Sequence, residues 1–173
     1  MNNPFALFDL PVQFQIDLDR LSERYLALQK SLHPDNFSAS SAQEQRLAMQ
    51  KSAEINDALQ ILKNPIQRAE AIIALNTQQT ADLEQKSAKD MAFLMQQLEW
   101  RETLESIENA KNEAKLTAFS QEIEQAKKTM LQDLETALNN QQWQQADGLC
   151  DKLRFIQKLL AEIERVEEQL FDF

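Results

Sequence analysis

Leu18, Leu21, Tyr25, Leu28 and Leu32 recur at steps of three and four, which places them on one face of a helix from about Leu18 to Leu32. Asp17 stands where a carboxylate caps the first amides of such a helix. Pro34 ends it, because proline disfavours helical geometry in the residue before it. Upstream, a short apolar piece from Phe5 to Leu10 is stopped by Pro11. Downstream, a polar loop runs through Ser38 to Ser41, and Ser41 and Glu44 have the spacing of a capping box. They open a second long helix, striped by Ala48, Ile55, Leu59 and Leu62 and ending near Asn64-Pro65. Pro65 suits the first position of another short helix, to about Leu75. The pattern therefore predicts two long antiparallel helices flanked by two short ones. His33-Pro34-Asp35 lies at the tip between the long pair.

The period lapses over residues 76–87, where Asn76-Thr77-Gln78-Gln79-Thr80 is followed by mixed charges. This predicts a linker between an N-terminal domain, residues 1–75, and a C-terminal one, residues 88–173. Three helices are expected beyond it. The first runs from about Ser87, with Ser87 and Asp90 at capping spacing, to Asn109. The second runs from about Asn112 to Leu138, with Leu116, Phe119, Ile123, Met130 and Leu134 in phase. The third starts near Gln142, after a break at Asn139-Asn140, with Leu149, Leu153, Ile156, Leu160 and Ile163 in phase. Short connections imply antiparallel neighbours and hence a three-helix bundle. The alternative, a longer coiled coil, requires a strict heptad, which the stripes do not keep.

Composition sharpens this all-α reading. The chain of 173 residues has one glycine and four prolines, which suits helices and lacks the punctuation of sheets. Glycine-rich phosphate cradles are excluded, because they need several glycines within a few residues. Net charge is -10, and the two halves differ: residues 1–75 carry seven Lys/Arg against nine Asp/Glu, residues 76–173 eleven against nineteen. No basic face emerges that would neutralise phosphates, so nucleic acid is not an expected partner. One cysteine, Cys150, and one histidine, His33, supply neither a disulfide nor a multi-ligand metal site, and no cofactor is expected. The N-terminus has no basic region followed by an apolar run, and no apolar stretch approaches membrane-spanning length. A soluble, cytoplasmic protein, monomeric and without a membrane partner, is expected.

His33-Pro34-Asp35 alone is a weak motif. Its setting, after an amphipathic helix and before a polar loop and second long helix, matches the pattern of a J-domain. Pro34 stiffens the loop, and His33 and Asp35 offer a donor and an acceptor at an exposed tip suited to docking. A catalytic histidine needs a nucleophile or orienting group in reach, and no serine or cysteine is arranged with it. On the preceding helix, Arg20 and Arg24 lie one turn apart and Lys30 is nearer the tip. Asp19 and Glu23 interrupt them, so an ordinary solvated face competes with a basic docking face on which Arg24 and Lys30 contribute.

The helix after the linker carries two apolar stripes. Phe93, Trp100, Leu104 and Ile107 form one; Met91, Leu94, Met95 and Leu98 form another on nearly the opposite side. A bundle helix needs one apolar face. Either both are buried, or the second is an exposed patch for a partner, with Glu99 and Glu102 as its polar rim. Phe155, off the main stripe of the last helix, is either a lateral packing residue or part of that patch. Cys150 and Trp143 read as structural.

Together these residues make the whole chain resemble the bacterial HscB family of J-domain co-chaperones. The resemblance rests on Leu32-His33-Pro34-Asp35-Asn36-Phe37, Ser52-Ala53-Glu54-Ile55-Asn56-Asp57-Ala58, Arg68-Ala69-Glu70, Phe93-Leu94-Met95-Gln96-Gln97-Leu98-Glu99, Lys152-Leu153-Arg154-Phe155 and the ending Leu170-Phe171-Asp172-Phe173. It implies a non-enzymatic protein that stimulates the DnaK-type ATPase HscA and binds the iron–sulfur scaffold IscU, in support of iron–sulfur protein maturation. It implies that the scaffold contacts are Leu94, Met95, Leu98, Glu99, Glu102 and Phe155. The chain departs from the family pattern at Asn36, where Lys or Arg is frequent, and at Ser106, where an acidic contact would fall.

Overall fold

The computed structural model describes residues 3–77 and 90–171, and its described residues form helices and turns without a strand. Four helices and a turn make the first unit: α1 Pro4–Leu7, α2 Leu18–Ser31, a single 3-10 turn Pro34–Phe37, α3 Ala42–Lys63 and α4 Pro65–Thr77. Three make the second: α5 Met91–Ala110, α6 Glu113–Asn139 and α7 Trp143–Phe171. The chain divides into two compact units, Met1–Gln78 and Gln79–Phe173. No helix among the described residues is long and apolar enough to cross a membrane.

Side-chain caps set nearly every helix start. Asp17 accepts from the amides of Asp19 and Arg20 at 3.0 and 3.1 Å. Ser41 accepts from Glu44 N at 3.2 Å, and Asn64 holds the first turn of α4 through Ile66 N and Gln67 N. Asn3 caps α1 in the same way, leaving Phe5 and Phe8 fully buried. α4 runs two residues past the expected end at Leu75. Most of the expected linker, and Ser87 as a helix start, lie outside the described residues; α5 begins at Met91 with Asp90 as its N-cap.

Leu21, Ile55, Leu59, Leu62, Ala69 and Ile72 build the core of the first unit. Leu18, expected on the buried stripe of α2, is instead 53% exposed. It occupies the first helical position, where the chain has just turned in, and the stripe is covered only from Leu21 onward. Arg68 is buried: its Nη1 donates to Leu62 O at 2.6 Å and its guanidinium lies 4.9 Å from the Phe14 ring centre. Desolvation lowers its pKa.

In the second unit, Trp100, Leu104 and Ile107 of α5 meet Leu116, Phe119 and Ile123 of α6 and Ile156, Leu159, Ile163 and Val166 of α7. The buried line of α7 begins at Ala146 and Cys150; Leu149 and Leu160, expected in phase, sit half-buried at its edges. A helix face is wide, and small Ala146 and Cys150 occupy its centre where α6 and α7 pack closely.

Glycine is absent where it is usually needed. Lys111 and Gln141, just past α5 and α6, adopt φ of 51° and 59°, the left-handed region that costs a side-chain-bearing residue about 1–2 kcal/mol. The one glycine, Gly148, lies inside α7, and a Cβ added there meets nothing within 4 Å. Gly148→Ala is expected to stabilise the second unit by about 1 kcal/mol, read as a higher denaturation midpoint.

Candidate functional site

The HPD tip is a short structured turn. His33 caps it with extended backbone, φ -58° and ψ 138°, and Pro34 supplies its first position. His33 Nδ1 accepts from Asp35 N at 3.2 Å. In that arrangement the neutral ring carries its proton on Nε2. Asp35 Oδ2 also lies 3.5 Å from Nδ1, but the two contacts are alternatives, since an accepting nitrogen has no proton to donate. The side chains of His33 and Asp35 are 60% and 91% exposed, so an ion pair between them contributes little. The tip thus offers an N–H donor, a carboxylate acceptor and a rigid proline to a partner.

The two cations assigned to this face differ. Lys30 is exposed. Arg24 is half-buried, and its Nη1 donates to the carbonyls of Phe8 at 2.6 Å and of Asp9. Its guanidinium thereby ties the end of α1 to α2. Across α2 and α3, Tyr25 Oη and Gln29 Nε2 both donate to Asn56 Oδ1, at 2.7 and 2.9 Å, and Ser52 Oγ donates to Gln29 Oε1 at 2.7 Å. These bonds hold the two helices that carry the tip. Leu26, Leu47 and Met49 are exposed on the same unit, off the period that singled out the core stripe.

On α5 the two stripes separate. Trp100, Leu104 and Ile107 are buried, whereas Met91, Leu94, Met95 and Leu98 are 66%, 43%, 63% and 57% exposed. An exposed run of four large apolar residues on one helix is more than scattered surface hydrophobicity. Glu99 and Glu102 are exposed beside it. They also border a groove of about 540 Å³ backed by buried Ile107 and Phe119, with Ser106 on its wall and Glu122 of α6 on its far side.

Phe155 belongs to an aromatic cluster. Its ring stacks on Trp100 at 6.3 Å and 9° and meets Phe93 edge-on at 5.8 Å; Phe93 is also edge-on to Trp100 at 6.4 Å. Arg101 lies over Phe155 at 5.4 Å. Half-buried and packed against the core, Phe155 braces α5 on α7. Sequence spacing isolated it as out of phase, but could not show its ring partners.

Asp90 fixes where the stripe begins. It accepts from Phe93 N at 2.9 Å and pairs with Lys152 Nζ at 2.9 Å, and Lys152 also lies over the Phe93 ring at 5.5 Å. The hydrogen bond from Lys152, then that from the Phe93 amide, hold the Asp90 carboxyl below its ordinary range. A depressed folded-state pKa contributes stability above the unfolded value, about 3.9, and loses it as pH falls through the folded one. Asparagine still caps, so Asp90→Asn removes the ion pair selectively. Thermal melts at pH 6 and pH 3 are expected to show a smaller acid-induced loss in Asp90→Asn than in the native chain.

Known proteins fit this geometry. Residues 89–164 match the profile of the family described as HSCB C-terminal oligomerisation domain. A relative from Mannheimia succiniciproducens, named Co-chaperone protein HscB homolog, is 65% identical over the whole of both chains. One of the same name from Haemophilus influenzae is 60% identical over 99% of each. The structure titled Chaperone HscB from Vibrio cholerae matches with a TM-score of 0.86 at 42% identity, covering 98% of this chain and 99% of that one. The class is that of all-α co-chaperones with an N-terminal J-domain and a C-terminal helical bundle, a non-enzymatic role. Within it, the chain belongs to the HscB family.

Proposed function

We propose that this chain stimulates ATP hydrolysis by a DnaK-type chaperone, HscA, and delivers to it the iron–sulfur scaffold IscU, in the cytoplasm and as a monomer. The observation that carries the first half is the exposed, hydrogen-bonded HPD tip. His33, Pro34 and Asp35 are the ATPase contacts, joined by Lys30 and by Arg24, whose guanidinium also ties α1 to α2. The exposed stripe supports the second half: Leu94, Met95 and Leu98 form the apolar centre of the scaffold contact, Glu99 and Glu102 its rim, and the open edge of Phe155 its flank.

The two contact sets lie in different compact units, the first in Met1–Gln78 and the second in Gln79–Phe173. Tethering is then the simplest mechanism. One chain holding both partners raises their effective concentration without any contact between them. To stimulate hydrolysis, the tip must bind the hydrolysis-competent state of the ATPase more tightly than its resting state. This chain supplies no catalytic group.

Tethering is tested by splitting the sites. An equimolar mixture of His33→Gln with the Leu94→Ala/Met95→Ala/Leu98→Ala variant holds one intact copy of each site, on separate molecules. In steady-state ATPase assays with scaffold present, the mixture is expected to fall well below the native chain. Equal stimulation by mixture and native chain would show that the two sites need not share a molecule, against the reading.

A further inference from the structure

The HPD turn contributes no buried side chain, so packing alone does not hold it. We propose that Asn36 and Gln45 are positioning residues that hold the turn in its docking geometry; this rests on the reading of the tip as the ATPase contact.

Asn36 acts from the loop side. Its Nδ2 donates to Lys30 O at 2.8 Å and to Ser31 O at 3.2 Å, the last carbonyls of α2, of which Lys30 O also accepts from His33 N at 3.4 Å. Its backbone N–H donates to His33 O at 2.9 Å and closes the turn around Pro34 and Asp35. One residue thus anchors the motif to the helix before it and folds it. Gln45 acts from the other side. It lies in the first turns of α3, and its Nε2 donates to Phe37 O at 2.9 Å and to Ser40 O at 3.4 Å, reaching back over the loop. Between these two amides the side chains of His33 and Asp35 stay exposed, while the backbone beneath them is tied to both long helices. Asn36, a departure from the family's frequent basic residue, is therefore a structural donor in this chain rather than a lost charge.

The turn is competent only while closed, and an opened turn docks with affinity reduced in proportion to the closed fraction. Losing one of these side chains should lower apparent affinity but leave the maximum, reached at saturation, intact. A residue whose contact favours the hydrolysis-competent state over the resting one lowers the maximum instead.

The variants are Asn36→Ala, Gln45→Ala and the near-isosteric Asn36→Asp and Gln45→Glu, which keep size but lose the N–H donors. Two quantities are read on the full chain. The first is hydrogen exchange at the Asn36 and Ser40 amides, which donate to His33 O and Phe37 O across the turn. The second is ATPase stimulation as a function of chain concentration, with His33→Gln alongside. Exchange is expected to quicken about three- to tenfold, with the half-maximal concentration rising by a smaller factor as the closed fraction falls, and the maximum kept. Thermal melts within about 3 °C of native show the helices intact. Unchanged exchange in these variants overturns the proposal. So does faster exchange with an unchanged stimulation curve while His33→Gln abolishes stimulation, and that result leaves the docking reading standing. If His33→Gln also stimulates normally, the docking reading fails and this proposal with it.

Discussion

Alanine in place of Leu94, Met95 and Leu98 together is expected to weaken scaffold binding at least about 100-fold. Truncating an apolar anchor at the centre of an interface costs on the order of 1–2 kcal/mol, and tenfold in affinity corresponds to about 1.4 kcal/mol. Three such truncations reach about 3–5 kcal/mol even with imperfect additivity. The fold should be indifferent, because the three side chains are 43%, 63% and 57% exposed and lie apart from the buried line of Trp100, Leu104 and Ile107. The melting midpoint therefore stays near native while titration calorimetry with the scaffold loses its signal. Alanine at Glu99 or Glu102 acts differently: a rim charge changes association rate and salt dependence, at about 1 kcal/mol or less. A triple variant with native scaffold affinity but an altered oligomeric state would assign the stripe to self-association.

Much of this surface was legible in the sequence because a helix converts spacing into direction. Two apolar stripes on opposite sides of α5 cannot both face one bundle core, and the count alone separated Leu94, Met95 and Leu98 from Trp100 and Leu104. Caps were legible for a similar reason: Asp17 and Ser41 stand next to periodic runs with no better role. Periodicity failed where a residue's surroundings come from distant chain. Leu18 is in phase with Leu21, yet it stays 53% exposed at the first helical position while Leu21 is fully buried. Leu149 and Leu160 are in phase with the core of α7, but Ala146, Cys150 and Leu159 take the central places. Arg24 reads as a surface cation until α1 folds back and presents the carbonyls of Phe8 and Asp9. The stacking of Phe155 on Trp100 joins residues 55 positions apart, beyond the reach of any local pattern.

His33→Gln carries the second large expectation. Glutamine is polar and of similar size, so the exposed tip tolerates it and the fold persists. What disappears is a flat ring whose Nδ1 accepts from Asp35 N and whose Nε2 carries the outward proton. A docking contact that loses its donor geometry leaves partner groups unpaired, which costs about 2 kcal/mol or more, roughly 30-fold in affinity for the stimulated state. The measurement that bears most directly on the account is steady-state ATP hydrolysis by the DnaK-type chaperone with scaffold present, comparing the native chain with His33→Gln. The account predicts strong stimulation by the native chain and a return to the basal rate with the variant; a native chain that does not stimulate, or a variant that stimulates equally well, would contradict it.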